Sequence, residues 1–121
     1  MPTPDEPQLD ALAVARLREL DPDGRHGVLQ RVLQAFETSL QRQMQLAREA
    51  RGRDDAAALG GIAHLLKSSS QSVGALALAA CCVEIERAVR AGRPVDVSHE
   101  VENLLTQAER ALVAVRAMLQ A

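Results

Sequence analysis

The stretch from Val97 to Met118, VSHEVENLLTQAERALVAVRAM, decides the fold of this chain. Its apolar side chains alternate steps of four and three residues, at Val97, Val101, Leu104, Ala108, Ala111, Val115 and Met118. This spacing places one apolar stripe along a helix, as a seam between antiparallel helices requires. The stretch therefore predicts a long C-terminal helix that packs within a helical bundle, with Ser98 as a cap near its start.

Upstream of this helix, side chains repeat at helical spacing in four more stretches. Three are long and cover residues 26–51, 54–72 and 75–90. The fourth is short and takes its spacing from Leu9, Leu12, Ala13, Arg16, Leu17 and Leu20. The stretches are separated by the turn-forming segments Asp21-Pro22-Asp23-Gly24, Arg51-Gly52-Arg53, Gly74 and Ala91-Gly92-Arg93-Pro94. We therefore predict an all-α fold, an antiparallel up-down-up-down four-helix bundle with an additional short N-terminal helix.

The composition agrees with an all-α class and excludes several functions. Strong helix formers dominate, aromatic residues make up 1 % of the chain, and the formal net charge is −2. With no excess of positive charge and with Phe36 as the single aromatic residue, nucleic acid is excluded as a partner. No apolar run is long enough to span a bilayer, so we expect no membrane insertion and a cytoplasmic location.

The domain organisation follows from proline content and apolar periodicity. Three of the five prolines lie in residues 1–8, which lack apolar periodicity. We expect this segment to be a flexible proline-rich leader and residues 9–121 to form one domain. A disulfide between the adjacent Cys81 and Cys82 would form a strained ring, so we interpret them as small helix-packing residues.

His64 lies on the outward face of the third predicted helix. At 100° per residue, the core-facing side chains of this helix share one sector, and they are Leu59, Ile62, Leu66, Ser70 and Val73. His64 falls about 160° from the centre of that sector. Its neighbours on the helix surface are Gly60, Gly61, Lys67, Ser68 and Gln71. This polar stripe is the candidate functional site, and an incidental surface histidine is the alternative.

Two residue choices around His64 favour a functional site. Lys67 is the only lysine among 14 basic residues, and a compact ammonium can turn onto a small anion more freely than a planar guanidinium. Gly60 and Gly61 each cost a helix about 1 kcal/mol relative to alanine. Either a neighbouring helix packs closely at these glycines, or they clear a surface beside His64 for another protein.

The side chains of this stripe suit reversible phosphoryl transfer. Neutral imidazole is a good nucleophile near physiological pH, and the phosphoramidate that it forms is labile enough to pass the phosphoryl group on. Lys67 supplies a cation for the phosphoryl oxygens, and Ser68 and Gln71 supply hydrogen-bond donors. Neither an acidic cluster for Mg²⁺ nor a glycine-rich nucleotide loop accompanies them. We predict a phosphoryl carrier without cofactor, nucleotide site or metal site of its own, which leaves open whether it counts as an enzyme.

The segment AHLLKSSSQSVGA, residues 63–75, resembles the signature of histidine-containing phosphotransfer (Hpt) domains, H-x-x-K-G-[SA]-[SA]-x-x-x-G. His64, Lys67, the small residues Ser69 and Ser70, and Gly74 match this signature. The predicted helix layout also resembles that of the family over most of the chain. One position departs from it. Ser68 stands where the family has glycine, which adds bulk beside His64 and also offers a hydroxyl group.

The resemblance implies a role for each matching residue. His64 is the phosphorylated residue, Lys67 is its charge partner, and Gly74 is the small residue where the next helix begins against the site. We expect contacts with the phosphoryl group or the partner from Gly60, Gly61, Ser68, Gln71 and Gly74. Family members often carry a Glu or Gln at the position of Glu86, where it accepts a hydrogen bond from the imidazole Nδ1 and leaves Nε2 as the nucleophile. The alternative for Glu86 is a solvated charge near Arg90.

The resemblance also implies partners. His64 would accept a phosphoryl group from a receiver-domain aspartate and pass it to another receiver-domain aspartate in a two-component phosphorelay. The expected partners are response regulator receiver domains and a hybrid sensor histidine kinase, with Mg²⁺ on the receiver domain and this chain as a monomer. A non-catalytic helical adaptor that binds such domains without phosphorylation is the alternative. A metal-binding bundle is less favoured, because His26, His64 and His99 are isolated from one another.

Overall fold

A computed structural model describes residues 6–121, which form five α-helices and contain no strand. The helices are α1 Ala11–Glu19, α2 Val28–Gly52, α3 Ala56–Val73, α4 Leu76–Arg90 and α5 Val97–Gln120. The all-α prediction and the short N-terminal helix are confirmed. Residues 1–5 of the predicted leader lie outside the described residues.

The four long helices form a ring around one core. Each of α2, α3 and α4 packs against the next helix, and α5 packs against both α4 and α2. The connections at residues 53–55, 74–75 and 91–96 are short, and short connections place consecutive helices side by side and antiparallel. α1 packs on the outside of this ring, against α2 and α3. Within residues 6–121, no helix has both the length and the apolar character to cross a membrane.

The core is almost entirely aliphatic, as the composition predicts. Its largest fully buried side chains are Leu33, Leu40, Leu59, Leu66, Leu78, Ile85, Leu104, Val73, Val97, Val101, Val115 and Cys82. The predicted seam of α5 is buried along its length, except that Met118 is only partly buried at the end. Cys81 and Cys82 are free thiols of α4, and burial raises the pKa of Cys82 to about 12. Cys82 is therefore a packing residue that stays protonated.

The structure adds one detail to the sequence-based prediction and corrects another. Leu12 and Leu20 are exposed, because α1 has only nine residues and buries a narrow face that contains Ala13 and Val14. The cap of α5 is Asp96, not Ser98, because the Asp96 carboxylate accepts the backbone N–H of His99 at 3.1 Å. The predicted cap of α3 at Asp55 is confirmed by a hydrogen bond from the N–H of Ala58 at 2.9 Å.

The turn between α1 and α2 is organised by Asp21. Its buried carboxylate accepts the backbone N–H of His26 at 3.1 Å and that of Val28 at 3.3 Å. Burial by itself raises the pKa of Asp21, but the hydrogen bonds from Val28 and His26 outweigh it, and the pKa lies below its usual value. The turn therefore keeps an ionised carboxylate at neutral pH.

α1 is attached to the end of α3 through Gly74. Gly74 has a left-handed backbone with φ 88°, and its carbonyl accepts the N–H of Asp10 at 2.9 Å. A Cβ added at Gly74 would lie 2.6 Å from the backbone nitrogen of Asp10. Asp10 also caps α1, since its side chain accepts the N–H of Ala13 at 3.1 Å. The absence of a side chain at Gly74 thus allows the start of α1 to lie against the end of α3.

Candidate functional site

His64 projects from α3 on the face opposite the core. All five side chains predicted to face the core from this helix are buried, and they are Leu59, Ile62, Leu66, Ser70 and Val73. The His64 side chain, by contrast, is 64 % exposed. The periodicity of α3 therefore predicted the orientation of His64 correctly.

Glu86 of α4 holds the imidazole ring of His64. The Nδ1 of His64 is hydrogen-bonded to Oε2 of Glu86, whose side chain is only 11 % exposed. An ionised carboxylate only accepts hydrogen bonds, so Nδ1 carries the proton in this pair. In the neutral ring the lone pair then resides on Nε2, which becomes the nucleophilic nitrogen. The contact predicted for Glu86 from the family resemblance is present in the structure.

Two cations also contact the Glu86 carboxylate. The Nζ of Lys67 donates a hydrogen bond to Oε1, and the Nη2 of Arg90 lies 3.5 Å from Oε2. The hydrogen bond from Lys67 is the main cause that lowers the pKa of Glu86, the hydrogen bond from His64 adds to it, and burial opposes both. Glu86 is therefore an ionised carboxylate in a largely buried place, and Lys67 is paired with it rather than free.

Gly60 and Gly61 serve different purposes. Gly60 is buried, and a Cβ added there would lie 2.8 Å from Cγ1 of Val89. Gly61 is exposed, and an added Cβ would meet nothing within 4 Å. Close packing against α4 explains Gly60, whereas Gly61 leaves open surface one turn before His64. The close contact at Gly60 brings α4, and with it Glu86, against α3.

The two glycines predict opposite effects of alanine on stability. Gly61→Ala is expected to raise the free energy of unfolding by up to about 1 kcal/mol, because alanine favours the helix and has free space. Gly60→Ala is expected to lower it by about 1 kcal/mol or more, because overpacking against the stiff Val89 side chain exceeds the helix-propensity gain. Urea unfolding of both variants measures the difference. Equal effects of the two substitutions would contradict the close packing of α3 on α4.

The remaining predicted site residues divide by their position. Ser68 and Gln71 are exposed on α3 within two turns of His64, where a phosphoryl group or a partner can reach them. Gly74 is buried beneath Asp10 at the far end of α3, so its role is in the fold. Arg90 forms an ion pair with Glu86 from a position four residues further along α4, and this spacing in the sequence is a signal of such a pair.

The other two histidines lack such a setting. His26 is exposed in the turn before α2. His99 lies in the first turn of α5, where its Nε2 is 3.3 Å from the amide nitrogen of Asn103. Within residues 6–121, no group of three or more His, Cys, Asp or Glu side chains is arranged to hold a metal ion.

Comparison with known families and structures agrees with this geometry. The sequence model of the Hpt domain matches residues 31–121. The chain belongs to the Hpt domain family. Hpt domains carry out histidine phosphotransfer in phosphorelays, and they interact there with receiver domains and kinases. This Hpt domain is accordingly a histidine phosphotransfer protein.

A solved structure supports the same assignment. This Hpt domain is similar to histidine-containing phosphotransfer protein B (HptB) from Pseudomonas aeruginosa PAO1, with a TM-score of 0.80 and 25 % sequence identity. The match covers 94 % of this chain and 96 % of the HptB chain. Comparison with curated proteins finds no match to this sequence.

Proposed function

We propose that His64 is the residue of this Hpt domain that accepts the phosphoryl group and passes it on. The observation that carries the proposal is the hydrogen bond between Nδ1 of the exposed His64 ring and the largely buried Glu86 carboxylate. This bond selects Nε2 as the nucleophile and holds the ring at the surface, where a receiver domain can approach. His26 and His99 have no carboxylate on either ring nitrogen among their described hydrogen bonds.

The transfer step follows from this tautomer. The Nε2 lone pair of His64 attacks the phosphorus of a receiver aspartyl phosphate, an Nε2–P bond forms, and the bond from phosphorus to the aspartate oxygen breaks. The aspartate leaves as a carboxylate on the receiver domain. The phosphorylated ring keeps the Nδ1 proton and carries a positive charge, which faces the Glu86 carboxylate. Attack on phosphorus by a second receiver aspartate reverses these changes and restores neutral His64.

Lys67, Ser68 and Gln71 are proposed to bind the phosphoryl oxygens. Lys67 lies one helical turn from His64, so its ammonium group can turn from Glu86 towards a phosphoryl group on Nε2. Charge-assisted hydrogen bonds of this kind stabilise the charge that develops during transfer. We propose that the receiver domain supplies Mg²⁺ and that this chain supplies the imidazole and the ammonium group.

Lys67→Ala is expected to slow phosphoryl transfer to His64 about tenfold, which corresponds to roughly 1.4 kcal/mol of lost transition-state stabilisation. The free energy of unfolding should change by less than about 1 kcal/mol, because Glu86 keeps the contacts with His64 and Arg90. Rapid-quench measurements with a labelled receiver domain and urea unfolding give the two quantities. Lys67→Arg, which keeps the positive charge, is the matched variant. A comparable loss in rate and stability would indicate a structural role instead.

Peptide mapping of the label tests the assignment of His64. The domain is incubated with a ³²P-labelled phosphorylated receiver domain and digested with trypsin under alkaline conditions, which preserve phosphoramidates. Cleavage after Arg53 and Lys67 releases residues 54–67, which contain His64 as their only histidine. Label is expected in this peptide. Label in the peptides that contain His26 or His99 would contradict the proposal.

We also propose that the domain acts as a monomer. Glu86, which holds the His64 ring, and Lys67, which pairs with Glu86, come from the same chain, so one copy forms the whole site. Analytical ultracentrifugation measures the oligomeric state. The cytoplasmic location expected from the sequence stays a prediction.

A further inference from the structure

The Glu86 carboxylate receives more positive charge than the orientation of His64 requires. Lys67 donates to Oε1, and Oε2 is shared between Nδ1 of His64 and, at 3.5 Å, Nη2 of Arg90. The Arg90 side chain is 72 % exposed and lies four residues after Glu86 on α4. At 3.5 Å the guanidinium of Arg90 forms an ion pair with Oε2 but lies beyond the usual hydrogen-bond distance.

Phosphorylation of His64 creates competition for Lys67. A phosphoryl group on Nε2 is doubly negative, and Lys67 is the ammonium group one turn away on the same helix. If Lys67 turns to the phosphoryl group, Oε1 of Glu86 loses its hydrogen bond. Oε1 is then a largely buried carboxylate oxygen without a hydrogen bond, because the phosphorylated ring contacts only Oε2, and leaving it unpaired costs free energy.

We propose that Arg90 is a positioning residue that replaces Lys67 on Glu86 when Lys67 turns to the phosphoryl group. This inference rests on the proposed function of His64 and Lys67. The planar guanidinium can bind both carboxylate oxygens at once, and it stays charged at every relevant pH. Arg90 thereby pairs with the carboxylate oxygen that Lys67 leaves and keeps Oε2 of Glu86 on Nδ1 of His64 through the transfer step.

The surroundings of Arg90 allow this movement. Arg90 lines an open cleft of about 430 Å³ beside Glu86, together with Lys67, Val83, Arg87 and Ala91. Arg87 borders the same cleft but pairs with Glu84 at 3.3 Å. Arg87 is therefore a matched control, because it has the same charge, helix and cleft but a different carboxylate.

A double-mutant cycle on phosphoryl transfer tests the role of Arg90. With a saturating phosphorylated receiver domain, Arg90→Gln is expected to lower the single-turnover rate constant about fivefold, and Arg90→Lys is expected to recover most of that loss. The receiver concentration that gives half the maximal rate should stay unchanged. In a Glu86→Gln background, where there is no carboxylate to neutralise, Arg90→Gln should change the rate less than about twofold. Arg87→Gln should leave the rate unchanged in both backgrounds.

Each outcome of this cycle has a defined meaning. Equal slowing by Arg90→Gln in both backgrounds would overturn the proposal, because Arg90 would then act directly on the phosphoryl group or on the partner. A native-background rate unaffected by Arg90→Gln, or a loss seen only as a higher half-saturating concentration, would overturn it as well. If the Glu86→Gln variant accepts the phosphoryl group too slowly to measure, the effect of Arg90→Gln on the rate and on the half-saturating concentration in the native background tests the proposal alone. Absence of label on the unsubstituted domain would instead refute the proposed function of His64.

Discussion

His64→Gln abolishes phosphoryl transfer: label from a phosphorylated receiver domain is expected to fall below detection on this variant. Glutamine has no lone pair on nitrogen that can attack phosphorus, so the covalent intermediate cannot form. The substitution leaves the fold intact, because His64 is exposed and Glu86 keeps its contacts with Lys67 and Arg90. The loss of transfer is therefore expected without a comparable loss in the free energy of unfolding.

His26→Gln and His99→Gln are the matched controls for this experiment. Both histidines are exposed, and each substitution removes one imidazole of the chain, so both variants should accept label at the unsubstituted rate. Labelling of His64→Gln would assign the phosphorylated residue elsewhere. A non-catalytic adaptor would show no labelling of any variant, and receiver binding measured by titration calorimetry would then be the same for all of them.

Gly74→Ala is expected to lower the free energy of unfolding by about 2–5 kcal/mol, the largest stability effect predicted for an alanine substitution at a glycine of this chain. A left-handed backbone costs alanine roughly 1–2 kcal/mol. The rest arises because the new Cβ would lie 2.6 Å from the backbone nitrogen of Asp10, which cannot move away as a flexible side chain could. Thermal unfolding should show a midpoint lower by about 10 °C or more.

Gly92→Ala separates the two contributions at Gly74. Gly92 also has a positive φ, 68°, but an added Cβ would meet nothing within 4 Å. Gly92→Ala is therefore expected to lower the free energy of unfolding only by the cost of a left-handed backbone for alanine, roughly 1–2 kcal/mol. Equal losses at Gly74 and Gly92 would show that the contact between Asp10 and the end of α3 contributes little. Below its unfolding transition, Gly74→Ala should still accept label, because His64 lies ten residues away along α3.

The outward position of His64 could be predicted because it depends on one helix only. The rotation of 100° per residue places His64 opposite Leu66 and the other buried positions of α3, and it places Lys67 and Ser68 beside His64. No long-range information enters that argument. The pairing of Lys67 with Glu86 could not be predicted from spacing, because those residues belong to different helices and their contact depends on how α3 and α4 pack.

Elsewhere, periodicity alone did not predict which side chains of a short helix are buried. Nor did it distinguish a glycine that packs against another helix from one that leaves open surface. Leu12 and Leu20 follow a helical spacing, but a nine-residue helix on the outside of the bundle buries only one narrow face. Gly60 and Gly61 are equivalent in sequence, and only the position of Val89 on α4 distinguishes the packed glycine from the open one.

By itself, the amino-acid sequence determined the all-α class, the long α5 with its seam, the exposure of His64 and the presence of Lys67 one turn away. These features depend on local backbone geometry and on side-chain spacing within a helix. Only the tertiary structure decided that Gly60 packs against Val89, that Gly74 lies against Asp10, and that Glu86 is shared by side chains of two helices. Those features depend on the distance and rotation between helices, which spacing along one helix does not specify.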